Sequence, residues 1–380
     1  PVQLAYLFVL YEIAGVITNV SAGWVAARFG LTSTLYAGLS LQVVALLALT
    51  QLDPAWSMTA SVVFVMLVQG LSGVAKDLAK MSSKSAVKIL APATGGGLFR
   101  WVAILTGSKN AVKGSGFLLG AVLLAVFGFV PSVLTMAAAL FVILIGVVIY
   151  MPKGLPVGRK DAKFSEVFSK DRNINWLSAA RLFLFGARDV WFVVGIPIYF
   201  YAVLSDGTTE SNRMAFFMIG TFMAVWTILY GIVQGSAPRI LKAASRSDPE
   251  ILALAKCWVG LLIIVPAFLA GLVWLAPEPS YVLTATIVLG LLIFGGIFAI
   301  NSALHSFLIL SLTDAKRVTM DVGFYYMANA AGRLVGTVLS GFTYQVGGLS
   351  LCLGTAAVMI GLSWLGTSQL KAPKADKVAT

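Results

Sequence analysis

The sequence predicts an all-α membrane protein, and three observations carry that reading. The first is composition: of 380 residues, 59% are hydrophobic and only 11% charged, whereas a soluble globular chain carries about 25% charged residues. Mean hydropathy is +0.93. The second is arrangement. The apolar residues fall into eleven stretches, at 2–26, 34–52, 57–80, 99–129, 132–151, 176–203, 213–236, 254–276, 280–311, 320–345 and 349–369. Most are long enough to cross a hydrocarbon core of about 30 Å as a helix.

The third observation is an uneven sharing of lysine and arginine between the two sets of loops. One side is assigned Arg28, Lys80, Lys84, Lys88, Arg100, Lys153, Arg159, Lys160, Lys163, Lys170, Arg172 and Arg181. It continues with Arg239, Lys242, Arg246, Lys256, Lys316, Arg317, Lys371, Lys374 and Lys377. The other side carries only Arg213, among Asp53, Asp206, Glu210 and Glu278. Basic loops stay in the cytoplasm, so residue 1 is expected outside and the C-terminal tail at 371–380 inside. The formal net charge of +12 is then mostly topology, and nucleic acid is not implied.

Other classes are bounded as quickly. Cys257 and Cys352 stand far apart in apolar stretches and offer neither a disulfide framework nor metal spacing. His305 is the single histidine, which excludes a multi-histidine metal or haem site. No nucleophile–base pair stands out, so an enzyme acting on lipid phosphates gains little support, and no catalytic residue or cofactor is expected.

Along the chain, the first stretch ends in Gly23-Trp24-Val25-Ala26-Ala27-Arg28-Phe29-Gly30. This resembles the G-x-x-x-D-R-x-G turn that major facilitator transporters place between their second and third helices. In that reading Gly23 lets two helices approach, Arg28 anchors at the interface and Gly30 makes the turn. Ala27 stands where the motif has aspartate, which weakens the charge contact that latches the inner gate. The chain opens with Pro1 and enters an apolar helix within three residues, so a preceding helix is inferred. With it, the expected plan is a major facilitator-type bundle with eleven visible helices of twelve, arranged six plus six. The halves are expected at 1–151 and 176–370, joined by a basic cytoplasmic linker at 152–175 that carries Pro152 and Pro156.

The third stretch runs into Lys76, Lys80, Lys84 and Lys88, spaced by four and so on one helical face. They form either a cationic ladder for an anion or lysines snorkelling at a helix end. Asp77 adjoins Lys76. The fourth stretch carries Lys109 and Lys113, one turn apart and about 15–20 Å from the nearer helix end at 1.5 Å per residue. No acid shares that helix, so a bound anion or a partner from another helix must face them. Gly114 and Gly116 follow no strand and read as close helix packing rather than a nucleotide turn.

In the second half, Arg188 and Asp189 sit mid-span. Arginine's planar fork suits phosphate or carboxylate oxygens. Neighbours on a helix point about 100° apart, so Asp189 is not expected simply to neutralise Arg188. Asp77 and Asp189 are candidate proton carriers, with structural pairing as the alternative. Arg333, in the run Asn329-Ala-Ala-Gly-Arg333-Leu-Val-Gly336 with its small residues, is again central. Glu12, Asn19, Asn301 and Asp321 are weaker candidates, and His305 reads as a hydrogen-bonded packing residue. A charge at a helix centre in a bilayer costs about 2.5–3.5 kcal/mol on insertion scales. Five intramembrane cations, Lys76, Lys109, Lys113, Arg188 and Arg333, therefore point to a wet cavity that holds an anion in transit.

Three runs sharpen this: 71–88 (LSGVAKDLAKMSSKSAVK), 100–114 (RWVAILTGSKNAVKG) and 178–194 (SAARLFLFGARDVWFVV). They closely resemble the organoarsenical efflux permeases, the ArsJ family, and the likeness extends over most of the chain. The resemblance implies export of 1-arseno-3-phosphoglycerate, formed when glyceraldehyde-3-phosphate dehydrogenase uses arsenate in place of phosphate. It implies a bacterial inner membrane and an arsenic-resistance operon. Charge alone fits a carrier of sugar phosphates or other organic anions equally well.

Overall fold

The computed structural model describes residues 2–53, 55–91, 97–151, 155, 158–276, 278 and 280–372, with the side chains of 2–11, 58, 62, 117, 118, 121, 125 and 213 excepted. Lys153, Pro152, Pro156, Lys374, Lys377 and the Arg213 side chain lie outside the described residues. The helices in order are α1 (Val2–Phe29), α2 (Leu31–Leu49), α3 (Met58–Leu90), α4 (Gly97–Phe127), α5 (Phe129–Tyr150) and α6 (Arg172–Phe192). They continue with α7 (Gly195–Leu204), α8 (Thr209–Ile240), α9 (Asp248–Leu275), α10 (Tyr281–Leu312) and α11 (Val318–Ser368).

Breaks and starts follow from local chemistry. Gly30, at φ 87° and ψ 161°, turns α1 into α2 in a region that is essentially open to glycine alone. Gly128, at φ 75° and ψ −177°, does the same between α4 and α5. Gly347 and Gly348 interrupt α11 with non-helical angles and divide it into limbs 318–346 and 349–368. Side-chain oxygens cap helix starts: Asp171 accepts from the backbone N–H groups of Asn173 and Ile174, Thr208 from Ser211 and Ser280 from Leu283. Such caps satisfy N–H groups that have no partner within the helix.

Eight helical stretches are long and apolar enough to cross a membrane. One is α11, which folds back on itself at Gly347–Gly348. Helices α1 and α4 add 28 and 31 residues of spanning length. With α6 and α7 taken as one interrupted span, eleven spans result among the described residues, and the chain is a multi-pass membrane protein. Charged loops and helix ends at 28–30, 158–171, 239–247 and 313–317 gather at one end of the bundle, here called the basic end.

Two seams join the helices before residue 151 to those after 172. Along the first, α1 meets the first limb of α11 so closely that a Cβ on Gly23 would lie 2.9 Å from the Gly323 Cα and from the Thr319 oxygen. Along the second, α4 meets α8, and a Cβ on Gly107 would fall 2.4 Å from the Gly235 nitrogen. Backbone contact through small residues is how helices associate where lipid removes the hydrophobic drive. A third tie, Phe99 of α4 stacked on Phe307 of α10 at 4.8 Å, lies near the basic end. One buried apolar cluster draws on both sets of helices, from Ala22, Leu78 and Phe99 to Leu304 and Val322. A second, around Trp191, Trp226 and Phe298, belongs to the later helices alone.

Candidate functional site

At mid-depth, α1, α6 and α11 bring together two guanidinium groups and two carboxylates. Asp189 accepts from Arg188 Nε at 2.6 Å and from Arg333 Nε at 3.1 Å. Arg333 turns its terminal nitrogen to Glu12 of α1. Asp189 and Glu12 are buried, and Arg188 and Arg333 are half-buried. Sequence reasoning expected Arg188 to escape its neighbour, since adjacent residues diverge on a helix. The long guanidinium stem folds back, and the pair forms at 2.5 Å. The group is balanced, two positive against two negative, and Glu12 is more central to it than the sequence suggested.

One level away, Asp77 of α3 is held by three donors. Lys80 Nζ lies 2.6 Å from it, Thr18 Oγ1 donates at 2.6 Å and Asn19 Nδ2 at 3.3 Å. Lys80 also donates to Asn19 Oδ1. Asn19, a weaker candidate from the sequence, is thus a buried helix-to-helix tie.

Lys76, Lys109 and Lys113 all present exposed side chains. Lys109 nevertheless lies within electrostatic range of Lys76, Lys80, Lys84 and Lys113, so it faces an open space among the helices. Lys76 is likewise within range of Glu12, Asp77 and Lys80. Beside Lys109, Asn110 donates to Gln234 of α8 at 2.6 Å.

Three cations that sequence reasoning assigned to the basic loops lie inside: Lys80, paired with Asp77 as above, Lys84 and Arg181. Lys84 is 6% exposed and Arg181 3% exposed. Lys84 donates to the Tyr326 hydroxyl and sits 4.7 Å from that ring's centroid. Arg181 donates to Asn329 Oδ1 at 2.9 Å and to Ser302 Oγ at 3.3 Å, with Phe185 stacked 3.8 Å away. Snorkelling fails for Lys84 because α3 continues to Leu90 and α11 covers it. A signal was available: Arg181 precedes Arg188 by two helical turns on the same face. His305 is fully buried, yet neither ring nitrogen makes a hydrogen bond among the described residues, contrary to its expected packing bond.

The Gly23–Gly30 segment, expected from its motif to gate, has a definite geometry. Gly23 lies at the seam with α11 and Gly30 makes the turn, as described above. Arg28 is exposed and lies 5.4 Å from the centroid of the Trp24 ring. The Ala27 carbonyl, where the motif has aspartate, accepts from the Arg159 N–H at 2.8 Å. Trp24 Nε1 donates to the Ala162 carbonyl at 3.0 Å. The 158–167 segment thus straps the end of α1. Within it, the Arg159 guanidinium donating to Glu166 at 2.9 Å holds that carboxyl below the usual carboxylate range.

Around the centre stand eight cations, Lys76, Lys80, Lys84, Lys109, Lys113, Arg181, Arg188 and Arg333, against three carboxylates, Glu12, Asp77 and Asp189. Among the described residues, no group of three or more His, Cys, Asp or Glu could hold a metal ion.

No protein-family model matches the chain, and no curated protein matches it. Solved structures do. A bacterial homologue of the iron transporter ferroportin in its outward-facing state superposes with TM-score 0.75 over 97% of this chain and 90% of that one, at 13% identity. The fucose:proton symporter FucP, a major facilitator transporter, matches in its outward conformation with TM-score 0.68 over 95% and 88%, at 13% identity. The human organic anion transporter MFSD10 matches with TM-score 0.67 over 96% and 83%, at 14% identity. The chain has the major facilitator fold.

Proposed function

We propose that this chain is a secondary transporter that exports an anionic organoarsenical, 1-arseno-3-phosphoglycerate, by alternating access. The observation that carries the anion reading is the excess of cations over carboxylates at the centre, with Lys76, Lys109 and Lys113 exposed to the open space. The ferroportin homologue would suggest a metal cation, but a net positive cavity repels one. Halves at 1–151 and 176–370 rock about the seams, and the 152–175 linker lets them do so.

The organoarsenical itself rests on the likeness of residues 71–88, 100–114 and 178–194 to the efflux permeases described above. The compound carries phosphate at one end and arsenate at the other of a three-carbon acid. Lys76, Lys109 and Lys113 attract it from one half, and Arg188 and Arg333 receive it from the other. Arg188 and Arg333 are held by Asp189 and Glu12 until then. Protonation of Asp189 or Asp77 would free a cation for substrate, which couples export to a proton as an antiporter. The setting is a bacterial inner membrane with the C-terminus in the cytoplasm, and it supplies arsenate resistance together with the dehydrogenase. The organic anion transporter among the structural neighbours favours a second reading, a carrier of sugar phosphates or other organic anions.

Everted membrane vesicles separate the two. Radiolabelled arsenate is expected to accumulate only when glyceraldehyde-3-phosphate dehydrogenase, NAD and glyceraldehyde 3-phosphate are all present, and a protonophore is expected to abolish it. Uptake of sugar phosphate without any arsenate uptake would establish the second reading.

A further inference from the structure

The mid-depth group of Arg188, Arg333, Asp189 and Glu12 is internally balanced, whereas the cations nearer the basic end are not. Among the described residues, no carboxylate forms an ion pair with Lys84 or Arg181. Both are more than nine-tenths buried, and they lie within electrostatic range of one another. The carboxylate on that level, Asp77, is already engaged by Lys80, Thr18 and Asn19. Buried like charges without counter-charge are costly, and proteins retain them where a ligand or a proton move needs them.

The surrounding hydrogen bonds hold these groups in place without neutralising them. Lys84 donates to the Tyr326 oxygen, which leaves the phenolic hydrogen free to point at another acceptor. Arg181 is fixed by Asn329 and Ser302. Ser302 in turn accepts from Gln234 Nε2 at 2.9 Å, and Gln234 accepts from Asn110. These neutral groups, from α4, α8, α10 and α11, meet at Arg181 of α6. They orient a guanidinium fork while supplying no anion, which is the preorganisation an oxyanion site requires. His305, fully buried with both ring nitrogens unpartnered among the described residues, lies within electrostatic range of Arg181.

We propose that Lys84, Arg181 and Tyr326 form a second oxyanion subsite, on the basic-end side of Arg188, that takes one phosphoryl or arsenyl head of the carried anion. The subsite rests on the anion-carrier reading given above. Arg181 and Arg188 stand seven residues apart on one face of α6, about 10 Å along its axis. That matches the reach of an anion with an oxyanion head at each end of a three-carbon chain. One head meets Lys84 and Arg181, and the other meets Arg188 and Arg333. The same oxyanion chemistry could also come from free phosphate or arsenate, so the test carries both.

The test uses the full-length protein in lipid nanodiscs. Two probes are titrated by calorimetry: inorganic phosphate, and propane-1,3-diol bisphosphate as a stable two-headed compound. Wild type is expected to bind the two-headed compound at least about tenfold more tightly than phosphate. Lys84→Met and Arg181→Met are each expected to erase that advantage. Without ligand, Lys84→Met is expected to raise the melting temperature, because an uncompensated buried charge has been removed. Equal binding of the two-headed compound by wild type and both variants overturns the subsite while the anion carrier stands. Failure of wild type to bind either probe overturns the anion-carrier reading itself. Phosphate binding that is lost in both variants, with no advantage for the two-headed compound, assigns the site to a free oxyanion and overturns the two-headed arrangement. A melting temperature lowered by Lys84→Met and restored by Lys84→Arg, with binding unchanged, makes Lys84 structural.

Discussion

Glu12 on α1 and Arg333 on α11 form an ion pair across the seam between the two sets of helices. Arg333 also reaches Asp189 at 3.1 Å, so one guanidinium ties α1 to α6 through α11. In the alternating-access cycle proposed above, this ion pair must break when the two sets of helices separate. Its strength therefore sets part of the balance between the open and closed ends of the bundle.

A double-mutant cycle measures that tie. Glu12→Gln and Arg333→Gln should each lower the unfolding free energy. The double variant should cost less than their sum by about 0.5–3 kcal/mol, the range found for residues in direct contact. Strict additivity in thermal or denaturant unfolding would mean that the pair contributes nothing to the closed state.

At the seam itself, Gly23→Ala places a methyl group 2.9 Å from the backbone of Gly323 and Thr319. Both neighbours are main chain, so neither can rotate away and the helices must part. Overpacking of this kind costs about 1–3 kcal/mol. The expected result is a lower melting temperature and easier reaction of a cysteine placed at Thr319 with a water-soluble maleimide. Unchanged stability and reactivity would show that α1 and α11 do not close there.

The fold was legible where hydropathy and breakers agree. The gap between the stretches at 320–345 and 349–369 holds Gly347 and Gly348, the two residues that break α11. The apolar run 34–52 became Leu31–Leu49, shifted by the turn at Gly30. The site was less legible because its partners are distant in sequence: Arg333 meets Asp189 across 144 positions and Glu12 across 321. Lys84 and Arg181 read as loop-side charges because hydropathy falls near them, and only the packing of α11 and α10 encloses them.

Outside the membrane, Asp206 reports on pH. Its carboxylate accepts from the Ser211 hydroxyl, from the Thr208 N–H at 2.9 Å and from the Thr208 hydroxyl at 2.8 Å. These bonds push its pKa down to about 2. A carboxyl lowered in the folded state adds stability above its unfolded value of about 4 and loses it as pH falls toward the folded value. The 205–212 turn should therefore keep its hydrogen bonds at every pH above about 4, and any pH dependence of transport near neutrality should arise elsewhere. Carboxyl-carbon NMR of Asp206 is expected to show a midpoint near about 2. A midpoint near about 4 would mean the turn is not formed.

The central claim is that the cations facing the open space hold an anion during transport. Its most direct test is the initial rate of anion uptake into everted vesicles by Lys109→Glu and Lys113→Glu, with membrane insertion of each variant verified. Because a reversed charge repels the substrate that the native residue attracts, each rate should fall at least about tenfold, the equivalent of 1.4 kcal/mol. Uptake at the wild-type rate by both inserted variants would contradict the claim.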